Sequence, residues 1–299
     1  MSSREAQIVE LARWLQTPPG RYLLDWEQRQ VDEAVVDLFG FHALQLGLPE
    51  LQGLRANRMR HRWLALDSAE QFALPPPASS ENGVAVEQAR FSQFDSSSLL
   101  QEAAPTLRCA FDALPFEANS LDLIVLPHAL ELADDPHQTL REVERVLRPE
   151  GRLVVLGLNP ASLWGLRQNL GRLRRHVWPG SAEGLFLPRA GEFIGYWRLR
   201  DWLRLLNFEV ERAQFGCYRP PLHTEPWLKR WQWMEGAGMR WWTVLGAVYF
   251  MVAVKRVHGM RLVGLARNTK LSAKAAPAVA MHPHPRNFHS RSTRPSPDS

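Results

Sequence analysis

At 299 residues, with 45% hydrophobic and 22% charged, the chain can bury a sizeable core and has the composition of a globular protein. Its net charge of +5 comes from the end: from Lys255 onward there are nine Lys or Arg and one acid, so the first 254 residues hold 27 bases and 30 acids. A body of that balance argues against a folded nucleic-acid surface, and two cysteines, Cys109 and Cys217, exclude a disulfide framework and a cysteine zinc site.

In chain order, MSSREAQIVELARWLQTPPG lacks the apolar core of a secretory signal. It reads as an amphipathic helix stopped by Pro18-Pro19-Gly20, and residues 1–19 form an N-terminal helical extension. With the cysteine usage this points to the cytoplasm. A second helix is expected from about Arg21 to Leu38, and Pro75 to Ser80 reads as a loop. Leu121 to Leu126 and Arg152 to Leu158 are nearly continuous apolar runs, each suited to a strand covered on both faces of a parallel sheet. Between them, Asp134-Asp135-Pro136 opens a helix of about four turns with Leu140, Val143, Val146 and Leu147 on one side, and Pro149 and Gly151 close it.

Beyond the second run, Leu163, Leu166, Leu170, Leu173 and Val177 form a helical stripe beside Arg167, Arg172, Arg174 and Arg175. Such a helix suits a lid over an apolar substrate, a peripheral membrane contact through residues 161–178, or packing on the sheet. Nine of the twelve tryptophans lie at or beyond Trp164, which adds to the apolar character of this half. A helix from Leu199 to Leu206 leads through Asn207 into a strand from Phe208 to Cys217, and Val244 to Lys255 is the closing strand. Trp241 to Val254 is apolar, but its 14 residues fall short of the roughly twenty a membrane span requires. From about Asn268 the chain is rich in Pro, Ser, Ala and basic residues without apolar periodicity, so residues 266–299 read as a disordered basic tail. His282, His284 and His289 sit in that low-complexity stretch and do not argue for a metal site.

The segment Asp112-Ala113-Leu114-Pro115-Phe116, then Ser120-Leu121-Asp122, Leu140-Arg141-Glu142 and Arg145-Val146-Leu147-Arg148-Pro149-Glu150-Gly151, resembles class I S-adenosylmethionine-dependent methyltransferases of the type 11 group. The resemblance is specific over about fifty residues, and the whole chain looks most similar to an uncharacterised bacterial branch. It implies an α/β fold, a seven-stranded mostly parallel sheet with helices on both faces, over residues 20–265. It also implies S-adenosyl-L-methionine as cofactor. Asp112 would accept from the adenine amine, the next backbone amide, that of Ala113, would bond a ring nitrogen, and Leu114 would also border the cofactor. Leu126 and His128 would line the carboxyl edge of the sheet, with His128 the candidate base if one acts. The first strand and its turn would be His42 to Glu50, with Gly47 as the first glycine of the cofactor turn. Leu48 and Pro49 stand where a small residue and a second glycine are usual, and Gln45 stands where an acid is usual. Asp67, ending the strand that contains Trp63, would hold the ribose hydroxyls, with Glu87 as the alternative.

The expected reaction is methyl transfer to a small or hydrophobic acceptor. Two other readings stay open: a catalytically inactive methyltransferase-fold binding module, favoured by Leu48 and Pro49, and a nucleic-acid methyltransferase.

Overall fold

The computed structural model describes residues 3–67, 106–177, 186–187 and 193–256. The 75–80 loop, Glu87 and the tail from 266 lie outside these residues. One compact unit spans Met1–Val257.

Two helices open it, α1 (Ser3–Leu15) and α2 (Pro18–Val35). Pro18-Pro19-Gly20 does more than stop α1: it is the first turn of α2, where a proline gives up no hydrogen bond. Thr17 caps that turn by accepting from the Gly20 amide, and a Cβ on Gly20 would lie 2.3 Å from the Trp14 carbonyl oxygen, so the corner needs glycine. Helix α1 places Ile8, Leu11 and Leu15 in the main core.

The strands follow as β1 (His42–Leu46), β2 (His61–Leu66), β3 (Thr106–Arg108) and β4 (Leu121–Pro127). After them come α3 (Ala129–Leu132), α4 (Pro136–Val146), β5 (Leu147–Leu158), α5 (Leu163–Val177) and α6 (Tyr196–Leu205). The chain closes with β6 (Phe208–Gly216), α7 (Glu225–Arg230), α8 (Trp233–Trp241) and β7 (Val248–Lys255). They make one seven-stranded sheet in the order β3-β2-β1-β4-β5-β7-β6, parallel except for β7. The order reverses between β1 and β4, so a crevice opens there beyond the carboxyl ends of the strands.

Alternation along the strands divides two cores. Leu44, Leu46, Ile124 and Leu126 meet Leu140, Val143 and Val146 of α4 and Leu199 and Leu203 of α6. On the other face Ala43, Leu123, Val125 and Val154 meet Leu23, Val31 and Val35 of α2, together with Leu48, Leu51 and Leu54. Those last leucines belong to residues 47–60, which join β1 to β2 without a helix. The covering helix on this side is α2, held to the connection by Gln28 and Gln52, by the Asp32–Arg55 ion pair, and by Asn57 donating to the Val35 and Leu38 carbonyls.

Asp135 caps α4 by accepting from the amides of His137 and Gln138 at 2.9 and 3.1 Å. The helix has 11 residues, about three turns and not four, because β5 already begins at Leu147. Pairing with β4 is interrupted after Leu147 and resumes at Arg152, which places the Pro149–Gly151 excursion inside the strand. Likewise β7 starts four residues later than expected, after a single 3₁₀ turn at Thr243–Leu245.

Candidate active site

The carboxyl edge of the sheet gathers most of the residues singled out from the sequence. Gly47 follows β1, Asp67 follows β2, Asp112 to Leu114 follow β3, and His128 follows β4. Gly47 has φ 73°, and Leu48 next to it has φ 46°, so the turn contains two successive left-handed residues. The second is a leucine, for which that conformation costs about 1–2 kcal/mol. Burial of its side chain among Leu23, Leu51 and Leu54 offsets this. His128 and Cys217, the residues after β4 and β6, are also left-handed, at φ 54° and 61°.

Gln45 explains how the turn holds without its usual glycines. Its buried carboxamide donates from Nε2 to the carbonyls of Gly47, Leu48 and Leu51 at 3.1, 2.9 and 2.7 Å, and its Oε1 accepts from the Gly53 amide at 2.8 Å. An acid could accept from Gly53 but could not donate to three carbonyls. Gln45 is therefore an organiser of the turn, a role that its substitution for an acid hints at but does not specify.

Asp67 is buried at the end of β2 and lies close to Cys109, whose thiol is pushed up to about 11, first by burial and then by that carboxylate. Across the crevice, Asp112 and Ala113 are exposed while Phe111 and Leu114 are buried, so the loop is anchored at both ends and presents its acid outward. The Ala113 amide donates to the Ala110 carbonyl at 3.2 Å and the Leu114 amide to Glu142 Oε1 at 2.9 Å. The Ala113 amide expected at the adenine ring thus already has a partner in this conformation, as does that of Leu114. Arg145 completes the anchor by donating to the carbonyls of Leu114 and Phe116 and to Glu142. Its guanidinium, followed by the Leu114 amide, holds the Glu142 carboxyl below its ordinary range. The Glu142 and Arg145 of the matched motif therefore serve the loop that carries Asp112.

His128 departs from the expectation of a base. It is buried, with Nδ1 2.9 Å from Glu131 Oε2 and Nε2 2.8 Å from Glu27 Oε1. Burial alone would depress the imidazole, but the Glu27 carboxylate, then Glu131, push it up to about 10. A cation with both ring nitrogens engaged has no lone pair to take a proton. Glu131 also accepts from the Leu158 amide, so the cluster ties α2 to the ends of β4 and β5. Burial pushes Glu131 itself up. Nothing in the sequence marked Glu27, since one acid in a polar helix looks solvated. Leu126 is fully buried against the α4 side and does not face the edge directly. Among the described residues no group of His, Cys, Asp or Glu is arranged to hold a metal ion.

These positions fit an adenosine-type cofactor in part. A positive-φ glycine after β1, a buried acid after β2 and an exposed acid after β3 surround the crevice, while the turn that would face the cofactor's methionine portion is closed on itself by Gln45.

Comparison with known proteins bears on the family and the fold. The family described as a methyltransferase domain matches residues 81–155. The uncharacterized protein YafS of Escherichia coli is 36% identical over 149 residues, covering 50% of this chain and 54% of that protein. A ubiquinone/menaquinone biosynthesis C-methyltransferase of Hahella chejuensis is 51% identical over 45 residues, 15% of this chain and 18% of its own length. The chain thus spans about half the length, or less, of these curated relatives. Among solved structures, a methyltransferase of Haloferax volcanii in complex with a methyltransferase activator superposes with a TM-score of 0.50 at 17% identity, over 83% of this chain and 98% of that one. The fold is that of class I methyltransferases.

Proposed function

We propose that this chain, a methyltransferase-domain protein of the class I fold, transfers a methyl group from S-adenosylmethionine to a small or hydrophobic acceptor. One observation carries the reading: the family match ends on β5 and contains the whole anchored loop in which Asp112 stands exposed beside the sheet's reversal. Asp112 would accept from the adenine amine, Asp67 would hold the ribose, and the Gly47 turn would border the methionine portion. When bound, the cofactor supplies a methyl already made electrophilic by its sulfonium, so the protein's work is alignment and exclusion of water. His128 serves as a positioning cation that holds α2 at the crevice. An apolar acceptor is supported by the leucines and tryptophans around α5, α7 and α8, and by a relative named for ubiquinone and menaquinone biosynthesis. Two free thiols, Cys109 and Cys217, suit a reducing cytoplasm.

Calorimetric titration with S-adenosylmethionine and S-adenosylhomocysteine tests the reading, and saturable binding of both is the expected result. The self-closed turn around Leu48 and Gln45 favours the alternative, an inactive methyltransferase-fold binding module. No binding of either compound at millimolar concentration would decide for that alternative.

A further inference from the structure

The helix α5 is built with its amphipathic sense reversed. Its inner side is fixed to the body by Trp164, which donates to the Arg219 carbonyl at 2.7 Å, and by Gln168, which exchanges two 3.0 Å hydrogen bonds with the backbone of Leu187. Both anchors are buried. The apolar stripe, for which the sequence left a lid, a membrane contact and packing on the sheet open, points outward: Leu163, Leu166, Leu170 and Leu173 are 43%, 55%, 51% and 59% exposed. A helix that buries a glutamine and exposes four leucines is not serving the core of its own domain.

The same edge carries more of this kind. Asn159, four residues before Leu163, donates to the carbonyls of Val244 and Gly246, which brings the start of α5 beside the 3₁₀ turn. Val244, Leu245, Trp241 and Trp242 are exposed there, as is Trp233 at the other end of α8. The charge is one-sided. No acid occurs between 161 and 178, whereas Arg167, Arg172 and Arg174 accompany the leucines. In α7 and α8 the acids are already engaged, Glu225 with Lys229 and Glu235 with Tyr22 and Arg219. Leucines and tryptophans rimmed by arginines match the interface of a bilayer, where apolar groups enter the acyl boundary, indoles sit at headgroup level and guanidinium groups meet anionic lipid.

We infer that the α5 face and the adjoining tryptophans dock this protein on an anionic lipid surface, so that the carboxyl edge of the sheet opens toward the membrane and takes an apolar acceptor from it. The acceptor half of this statement rests on the methyl-transfer reading; the docking half stands without it.

The test is co-sedimentation of the full chain with vesicles of phosphatidylcholine alone and of phosphatidylcholine with 30% phosphatidylglycerol. The comparison uses wild type, a Leu166→Ser/Leu170→Ser/Leu173→Ser variant and an Arg172→Ala/Arg174→Ala variant. Wild type is expected to partition onto the anionic vesicles in a salt-sensitive way. The arginine variant should partition about thirtyfold less, at roughly fivefold per basic residue near the surface. The serine variant should lose binding while keeping its melting temperature, since the leucines it replaces are exposed. The basic tail is present in all three proteins, so binding that survives the leucine substitutions would belong to the tail and overturn the inference. Absence of wild-type binding would overturn it as well, as would a dimer in light scattering that the serine variant dissolves without any vesicle binding. Titration of the same samples with S-adenosylhomocysteine separates the two readings: vesicle binding without cofactor binding keeps the docking and removes the methyl transfer.

Discussion

At the turn after β1 one side chain does the work normally divided among glycines. The two amide hydrogens of Gln45 are shared among three carbonyls and its oxygen accepts one bond inside the core, so restoring an acid there should not restore a better cofactor turn. Gln45→Glu removes the amide donor from the Gly47 and Leu51 carbonyls, while the Leu48 carbonyl keeps the Leu51 amide, at roughly 1–3 kcal/mol for each unsatisfied group. The expected outcome is a melting temperature lower by about 5–20 °C with no gain in S-adenosylhomocysteine affinity; a tighter-binding, equally stable variant would contradict this account. Asp112 behaves oppositely, being exposed. Asp112→Ala should leave stability unchanged and weaken S-adenosylhomocysteine by about ten to a hundredfold, the loss of one charge-assisted hydrogen bond of roughly 1.5–3 kcal/mol. His128 gives a pH signature. Its folded pKa is raised, to about 10 from 6.5, so its contribution is complete below about pH 6.5 and is lost as pH rises toward and through about 10. Melting curves between pH 6 and pH 10.5 should show a decline that is much flatter in His128→Gln, and parallel declines in both proteins would show that His128 is not its source.

Among the elements, those with an unbroken local signal were readable. The strands β4 and β5 are apolar on both faces, and the α4 stripe of Leu140, Val143 and Val146 has one period throughout, so strand, helix, strand and the position of Asp112 were legible together. Elements defined by partners were not. That residues 47–60 cross without a helix depends on α2 lying over them, and α2 precedes the sheet in the chain. The stripe on α5 was read correctly as a stripe, yet its direction is set by Trp164 and Gln168, whose partners Arg219 and Leu187 are distant in sequence. Glu27 was missed for the same reason, because its burial comes from His128, 101 residues away. The end of α4 shows how strongly such distant contacts act. Lys255, the last residue of β7, is buried and donates to the carbonyls of Glu144 and Leu147 at 2.6 and 2.9 Å and to Asn119 at 3.1 Å. A cation at a helix carboxyl end satisfies free carbonyls and opposes the helix dipole. Lys255→Ala should therefore destabilise the domain by about 3 kcal/mol, the range for removing one partner of a buried charged network. Denaturant titration measures this, and a change below about 0.5 kcal/mol would show that the network is replaced by water.

For the whole molecule, net charge and folding unit point to different parts of the chain. The sequence pI of about 9.6 belongs largely to the end, since the first 254 residues carry 27 bases and 30 acids. The compact unit that holds the sheet ends at Val257, two residues past β7. Folding and cofactor binding should thus belong to the unit through Val257, and the basic segment from Asn268 should add charge without adding core. Truncation after Arg267 is expected to leave the melting temperature within about 1 °C of the full chain. Ligand linkage makes the comparison sharper. A ligand that binds only the folded state stabilises it by about 2.7 kcal/mol at a hundred times its dissociation constant. At roughly 2–4 °C per kcal/mol for a domain of this size, S-adenosylhomocysteine should then raise the melting temperature by about 5–10 °C, equally in the full and truncated proteins. A shift present only in the full chain would mean that residues beyond 267 complete the cofactor site, and the crevice between β1 and β4 would no longer account for binding by itself.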